Sequence, residues 1–337
     1  MDLMRDGRVR SGILGTLVLL LSMAAACAQP VKIGVQTGLG YLPLQVMVHD
    51  QLLQKQAAAL GLTGVEPEIV EFANAGAMND ALLSGSIQYG SGGVSTFLVL
   101  WAKASGANEV KSAGSLVAMP TYLSSRNPAI KSVKDFTEKD RIGVAGVKVS
   151  YQAMLLQMAA AQAWGQKNFD KLDPLTVTVS NPNGAIMLAN PMSEVNTHFA
   201  PPPFAYVERR TPGVHTVLKS YDILGGPATL NLVWSTVAYA KSNPRIHRAF
   251  VAALQEAASA IKSDPARVAQ TYLDVSRDKT AVADIRQQIE DPEIIFSVAP
   301  NGVMKVAQFM YDTGTIKKKP ARWQDLYFEE LHQLPGN

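Results

Sequence analysis

The chain has 337 residues, of which 31 are Lys or Arg and 28 are Asp or Glu, so its formal net charge at pH 7 is +3. Three of the arginines, Arg5, Arg8 and Arg10, lie near the N-terminus, and the rest of the chain is close to neutral. This balance argues against a nucleic-acid partner, because such a protein needs a basic face. Cys27 is the only cysteine, which excludes an internal disulfide.

The N-terminal arginines precede an apolar run over residues 13–26 that ends in small residues. This is the layout of a secretory signal peptide, and the run is shorter than the ~20 residues of a membrane-spanning helix. Cleavage before Gln29 fits the usual small-residue rule, whereas the residues up to Cys27 loosely resemble a lipoprotein box without its usual Leu. We favour the first reading, a signal peptide over residues 1–28, and keep anchoring through Cys27 as the alternative.

Short apolar segments then alternate with helical patterns. The first segment is followed by a glycine turn and a helix, and the next two repeat this order. Strands and helices that alternate at this spacing predict a mostly parallel sheet with helices on both faces. The predicted strands are 31–35, 68–72 and 87–90, and the predicted helices end at residues 60, 84 and 104.

The pattern continues in a second half. Residues 115–125 predict a strand that crosses into a second lobe, and residues 230–235 predict the strand that returns. Between them we expect strands at 141–144, 175–179 and 194–199 and helices at 150–164 and 183–188; helices at 244–261 and 265–273 follow the return. Two crossings make a hinge with a cleft beneath it. We therefore predict lobe I over residues 29–118 and 230–337, and lobe II over residues 119–229.

Ligands of open α/β sheets bind where strands end and helices begin, because helix starts offer free N–H groups and a positive dipole end. Four such places occur, at residues 38–41, 74–78, 91–96 and 148–152. In the third, the glycines Gly92 and Gly93 let backbone approach a ligand while Ser95 and Thr96 add hydroxyls; alternatively the glycines only make a turn and Ser95 caps its own helix. Candidate charges for an anion are Lys148 and Arg126.

Three further side chains are candidates for the cleft. Tyr41 lies in a predicted loop and Tyr122 at the predicted crossing. Each either closes over a ligand or packs at the solvent-exposed edge of a core. His198 ends a predicted strand and either donates to a ligand or is structural. Residues 225–229 suit a hinge. The sequence lacks the common catalytic motifs, and its five histidines are spread along the chain, so we expect a binding protein without a cofactor.

Several strings of the chain resemble one family. They are residues 77–85 (AMNDALLSG), 89–93 (YGSGG), 133–136 (VKDF) and 220–226 (SYDILGG). The chain is similar there to the periplasmic substrate-binding proteins of ABC importers, in the nitrate/sulfonate/taurine (SsuA/THI5-like, NMT1-like) group. The resemblance implies a two-lobe type II periplasmic-binding-protein fold, a monomer, and an ABC permease as partner.

The resemblance also implies where the ligand lies. It places ligand contacts in the loop after the first strand and at one helix start in each lobe: Gly38, Leu39, Gly40, Tyr41, Gly93, Ser95, Thr96, Ser150 and Tyr151, with Tyr122 and His198 as the further candidates. The ligand class stays open between an anion, such as a sulfonate, nitrate or carboxylate, and a small aromatic.

Two other functions remain as alternatives. The first is a thiamine-pyrimidine-precursor-binding protein or a related periplasmic enzyme. Only the enzyme is disfavoured, because the cysteine-rich iron motif of those enzymes is absent. The second is a protein that presents its ligand to a membrane sensor.

Overall fold

The computed structural model describes residues 29–337. The predicted signal peptide and Cys27 lie outside this part of the chain. None of the helices formed by residues 29–337 is long and apolar enough to cross a membrane.

The first part of the chain alternates strands and helices, as expected. Its elements are β1 (Gln29–Val35), α1 (Leu42–His49), α2 (Leu52–Ala59), β2 (Val65–Glu71), α3 (Ala75–Leu83), β3 (Gly90–Gly93), α4 (Val94–Lys103) and β4 (Val110–Ala118). One predicted helix is divided into α1 and α2, because Gln51 adopts a left-handed conformation with φ of 55° between them. The β1 strand pairs in parallel with β2, and Ile33 also bridges to Tyr89 in parallel.

The second lobe is built on a five-stranded sheet. Its elements are β5 (Tyr122–Ser125), β6 (Ile142–Val144), α5 (Tyr151–Trp164), β7 (Thr176–Thr178), α6 (Asn181–Ala189), β8 (Thr197–Ala200), α7 (Phe204–Arg210), β9 (His215–Lys219) and α8 (Ser220–Leu224). The strand order is β7-β6-β8-β5-β9. The β6 strand is parallel to β7 and β8, whereas β5 is antiparallel to β8 and β9.

The last part of the chain returns to the first lobe. Its elements are β10 (Thr229–Thr236), α9 (Val237–Ser242), α10 (Pro244–Ser263), α11 (Pro265–Ser276), α12 (Val282–Ile289), β11 (Ile295–Phe296) and α13 (Val303–Asp312). The buried face of α10, which includes Phe250, Leu254 and Ala257, packs on α2, α1 and β4. This apolar face covers the sheet of the first lobe and forms much of its core.

The expectation of mostly parallel sheets is wrong. The strands β11-β4-β10-β3 form a sheet in which every pair is antiparallel, and the five-stranded sheet is mixed. The reason is that β4 carries the chain out of the first lobe and β10 brings it back. Because these two strands pair side by side, they must run in opposite directions.

The two crossing segments are tied to each other between the lobes. The backbone N–H of Thr121 donates to Ser220 Oγ, and the backbone N–H of Ser220 donates to the carbonyl oxygen of Thr121, both at 2.9 Å. These hydrogen bonds join the outward path before β5 to the return path at α8. The hinge between the lobes is therefore near Thr121 and Ser220. The residue limits of the two lobes remain a prediction.

Candidate functional site

A cleft of about 580 Å³ lies between the two lobes. Its first-lobe wall comes from the loop after β1, the start of α3 and the start of α4, together with β10. Its second-lobe wall comes from the starts of α5 and α6 and the segment after β8. The volume falls in the range of ~300–1,000 Å³ that is usual for small-molecule sites. A second cavity of about 310 Å³, beside residues 335–337, contains none of the predicted site residues.

The structure brings seven of the predicted site residues together in this cleft. They come from three segments that are distant in sequence and from both lobes. These residues are Gly38, Gly40, Tyr41, Gly93, Thr96, Ser150 and Tyr151.

The other four predicted site residues do not line the cleft. Leu39 is fully buried in the core. Ser95 is also buried, and its hydroxyl donates to the carbonyl oxygen of Val149 at 3.1 Å, so it joins the lobes. The Tyr122 ring lies under the guanidinium of Arg209, 4.7 Å from the ring centroid, at the side of α7.

His198, the fourth, is fully buried against α6. Its Nδ1 lies 2.5 Å from Oε1 of Glu208 on α7, and both side chains are excluded from solvent. Burial raises the pKa of the Glu208 carboxyl, and the hydrogen bond and charge of His198 offset part of that rise. Gly184 of α6 packs directly on the imidazole, since a Cβ there would lie 2.2 Å from Nε2. His198 therefore supports α6 from below.

The predicted glycine turn at residues 91–96 is instead a strand followed directly by a helix. Gly90 to Gly93 form β3, and Gly93 pairs with Asn231 of β10. Trp234 packs against the strand, and a Cβ at Gly90 would lie 3.0 Å from its Nε1, so a larger residue there would crowd the indole. Ser95 is therefore the second residue of α4 and does not cap it.

Four helices begin at the cleft. The residues that precede α3, α4, α5 and α6 all line it: Asn74, Gly93, Ser150 and Ser180. Asn74 and Ser150 accept a hydrogen bond from the first turn of their helices, whereas Gly93 and Ser180 provide no side-chain cap. The starts of α4 and α6 thus keep N–H donors for another partner, and all four dipoles present their positive ends.

Neither of the two expected cations reaches the cleft. The Arg126 guanidinium donates to the carbonyl oxygens of Met187 and Leu188 at the end of α6 and of Val195 before β8, and partial burial lowers its pKa. Lys148 is exposed, and its charge acts on Asp173. Burial raises the pKa of the Asp173 carboxyl, and the hydrogen bond from Gln157 and the charge of Lys148 offset part of that rise. Among the described residues that line the cleft, none has a charged side chain.

Amide side chains on both walls were not among the predicted contacts. Gln36 Oε1 accepts from the Tyr41 hydroxyl at 3.2 Å on the first wall, and Gln152 Nε2 donates to Asn181 Oδ1 at 3.2 Å on the second. Asn231 lines the cleft from β10. The sequence contains one indication that Asn231 has a special role, because it is a polar residue inside the otherwise apolar segment 230–234.

Comparison with known proteins agrees with this architecture. The NMT1/THI5 like family matches residues 62–268, which is more than half of the chain. No curated protein matches the sequence.

Solved structures share the fold at low sequence identity. The alkanesulfonate-binding protein SsuA from Xanthomonas axonopodis pv. citri, bound to MOPS, is 19% identical with a TM-score of 0.66, over 88% of this chain and 96% of that one. The aliphatic sulphonate binding protein SsuA from Escherichia coli is 20% identical with a TM-score of 0.64, over 89% and 99%. The nitrate-binding protein NrtA from Synechocystis PCC 6803 is 12% identical with a TM-score of 0.68, over 91% and 89%.

These matches confirm the predicted two-lobe fold and the family resemblance. The chain belongs to the NMT1/THI5-like family and has the fold of the periplasmic binding proteins.

Proposed function

We propose that this protein is the periplasmic solute-binding component of an ABC importer, and that it captures a small organic anion of single charge for delivery to an inner-membrane permease. The observation that carries the proposal is the cleft itself, with four helix starts facing an interior that no charged side chain lines. The similar proteins described as binding sulfonates and nitrate support the same class of solute.

The charge of the solute follows from the helix starts. A helix start stabilises an anion by about 0.3–1 kcal/mol at an exposed site, and more where the site is partly buried. Several such starts can hold a negative charge without a fixed cation, and each further charge on the solute adds to the cost of its desolvation. A positively charged group on the solute would in turn need a carboxylate, and none lines the cleft among the described residues. The proposed solute is therefore a monoanion without an ammonium group.

The size of the solute follows from the volume. A cleft of about 580 Å³ is much larger than a small inorganic ion needs. Its walls also include Tyr41, Phe72, Pro182 and Leu230, which offer apolar surface to a carbon skeleton. An organic sulfonate or carboxylate therefore fits the cleft better than nitrate does.

Capture requires that the two lobes close on the solute. Contacts from Ser95 and Thr96 to the carbonyl oxygen of Val149 connect the lobes beside the cleft. A solute that touches both walls favours this closed arrangement by its difference in affinity for the closed and open states. Export to the periplasm rests on the predicted signal peptide.

A thermal-shift panel tests the proposal. The panel contains nitrate, sulfate, taurine, methanesulfonate, butanesulfonate, benzoate and an aminopyrimidine. A compound present at 100 times its dissociation constant adds about 2.7 kcal/mol to the free energy of unfolding. We expect stabilisation by an organic monoanion and none by sulfate or taurine. If only the aminopyrimidine stabilises the protein, the solute is a neutral ring compound and the anion proposal is wrong.

A further inference from the structure

Asn231 interrupts the apolar strand β10. Its neighbours Leu230, Leu232, Val233 and Trp234 are buried, and Asn231 itself is 6% exposed. The pairing of β10 with β4 shifts register on both sides of this residue. Such irregularities re-aim a side chain out of the regular alternation, and here the side chain lines the cleft.

The neighbouring Tyr41 hydroxyl is a hydrogen-bond partner of the Asn231 side chain. An amide offers two N–H donors and an acceptor, so this contact leaves hydrogen-bonding capacity where Asn231 lines the cleft. Polar groups inside proteins are nearly always fully paired, so the remaining capacity points to a partner that arrives with the ligand. Asn231 as a whole is more than nine-tenths buried.

The neighbouring loop leaves space for this amide. A Cβ at Gly40 would lie 2.7 Å from Asn231 Nδ2, so any larger residue would displace it. The adjacent Tyr41 hydroxyl donates to Gln36 Oε1. Burial raises the pKa of Tyr41, and the hydrogen bond with the Asn231 side chain offsets part of the rise. The phenol thus stays neutral, and no negative charge forms beside the amide.

Asn231 lies soon after the chain returns from the second lobe. It is the third residue of β10, the strand that brings the chain back from the second lobe and pairs with the outgoing strand β4. A solute atom held by this side chain is therefore fixed to the first-lobe strand that follows the return crossing.

We propose that Asn231 determines the specificity of the first-lobe wall, and that its Nδ2 donates a hydrogen bond to an oxygen atom of the bound monoanion. The inference rests on the proposed function and adds a residue that selects for an acceptor on the solute. Replacement of the amide by a carboxylate of the same shape removes the donor and places a negative charge against the anion.

The test compares Asn231→Asp, Asn231→Ala and Asn190→Asp by calorimetric titration with the panel monoanion that binds wild type most tightly. Asn190 is an exposed residue after α6 whose Oδ1 accepts from the backbone N–H of Met192, and an aspartate keeps that bond. We expect the dissociation constant to rise about 10-fold in Asn231→Ala and about 100-fold or more in Asn231→Asp, and to stay unchanged in Asn190→Asp.

Melting temperatures without solute verify that the variants fold, and Asn231→Ser replaces any variant that does not. Equal affinity in Asn231→Asp and Asn190→Asp would overturn the inference and leave the proposed function intact. A wild-type protein that binds no panel monoanion would overturn the proposed function and this inference with it.

Discussion

The hydroxyl of Ser95 on α4 donates to the carbonyl oxygen of Val149, 3.1 Å away in the other lobe. Thr96 reaches the same oxygen at 3.5 Å. The first-lobe helix that was expected to bind the solute through Ser95 is therefore joined directly to the segment that precedes α5. This contact places Ser95 between the lobes.

Replacement of Ser95 by Ala removes one hydrogen bond between the lobes. A neutral hydrogen bond contributes about 0.5–1.5 kcal/mol, so we expect the dissociation constant for the best panel monoanion to rise by about 2- to 10-fold. Calorimetric titration measures this change. The exposed Ser105, replaced by Ala, serves as the control. Unchanged affinity in Ser95→Ala would show that the bond does not contribute to the closed state.

A salt bridge between α7 and α12 joins the lobes on another side. The Arg210 guanidinium donates to both carboxylate oxygens of Asp284, at 2.8 and 3.1 Å. Both side chains are partly exposed, so the effect of the pair is small and falls with salt. We expect Arg210→Asp to weaken solute binding about two- to fivefold at low salt, because like charges then oppose closure.

The charge-swapped double variant Arg210→Asp/Asp284→Arg controls for this salt bridge. It should recover most of the affinity, because the attraction is restored with the partners exchanged. Titrations at low and high salt measure both effects. A double variant as weak as the single one would contradict a role for this salt bridge in closure.

Glu208 makes stability depend on pH. Burial raises its pKa above the ordinary value of 4.5, so the folded state holds a proton that the unfolded state has released. Its contribution to stability is therefore lost as the pH rises from 4.5 through the raised pKa. Glu208→Gln keeps an acceptor for His198 and removes this titration.

Melting temperatures between pH 4 and pH 8 test the role of Glu208. The variant Glu208→Gln should gain stability relative to wild type as the pH rises through this window, whereas the exposed Glu138→Gln should not. Parallel pH profiles for wild type and Glu208→Gln would contradict the assigned direction.

Gly184 is required by the imidazole below it. An alanine there would place Cβ 2.2 Å from His198 Nε2, so α6 would have to lift away from the sheet. We expect Gly184→Ala to lower the free energy of unfolding by about 1–3 kcal/mol, measured by urea denaturation. Asn183→Ala changes an exposed neighbour in the same helix and should cost less. Equal stability in both variants would show that the helix adapts without cost.

Much of the fold could be predicted from local pattern. Apolar segments separated by turn residues located most strands and helices, because each element buries its own face. The antiparallel pairing of β4 with β10 could not be predicted, since it depends on which strands meet after two crossings. The left-handed conformation of Gln51, which divides a predicted helix in two, could not be predicted either, because glutamine rarely adopts it.

The candidate site was predicted only where it coincides with helix starts. Gly38, Gly93 and Ser150 line the cleft because loops at strand ends converge there. His198 and Arg126 bind other groups of the protein instead of a ligand. His198 contacts Glu208 beneath α6, and Arg126 donates to backbone carbonyl oxygens. Asn231 required knowledge of the register shift that turns a strand residue toward the cleft.

The most direct test of solute capture between the lobes is a calorimetric titration of Ser180→Trp. Ser180 lines the cleft, and its side chain makes no capping bond with α6, so an indole there fills the cleft without removing a stabilising contact. With the best panel monoanion, we predict no measurable binding to Ser180→Trp and wild-type binding to the exposed control Ser105→Trp. Wild-type affinity in Ser180→Trp would contradict capture in this cleft.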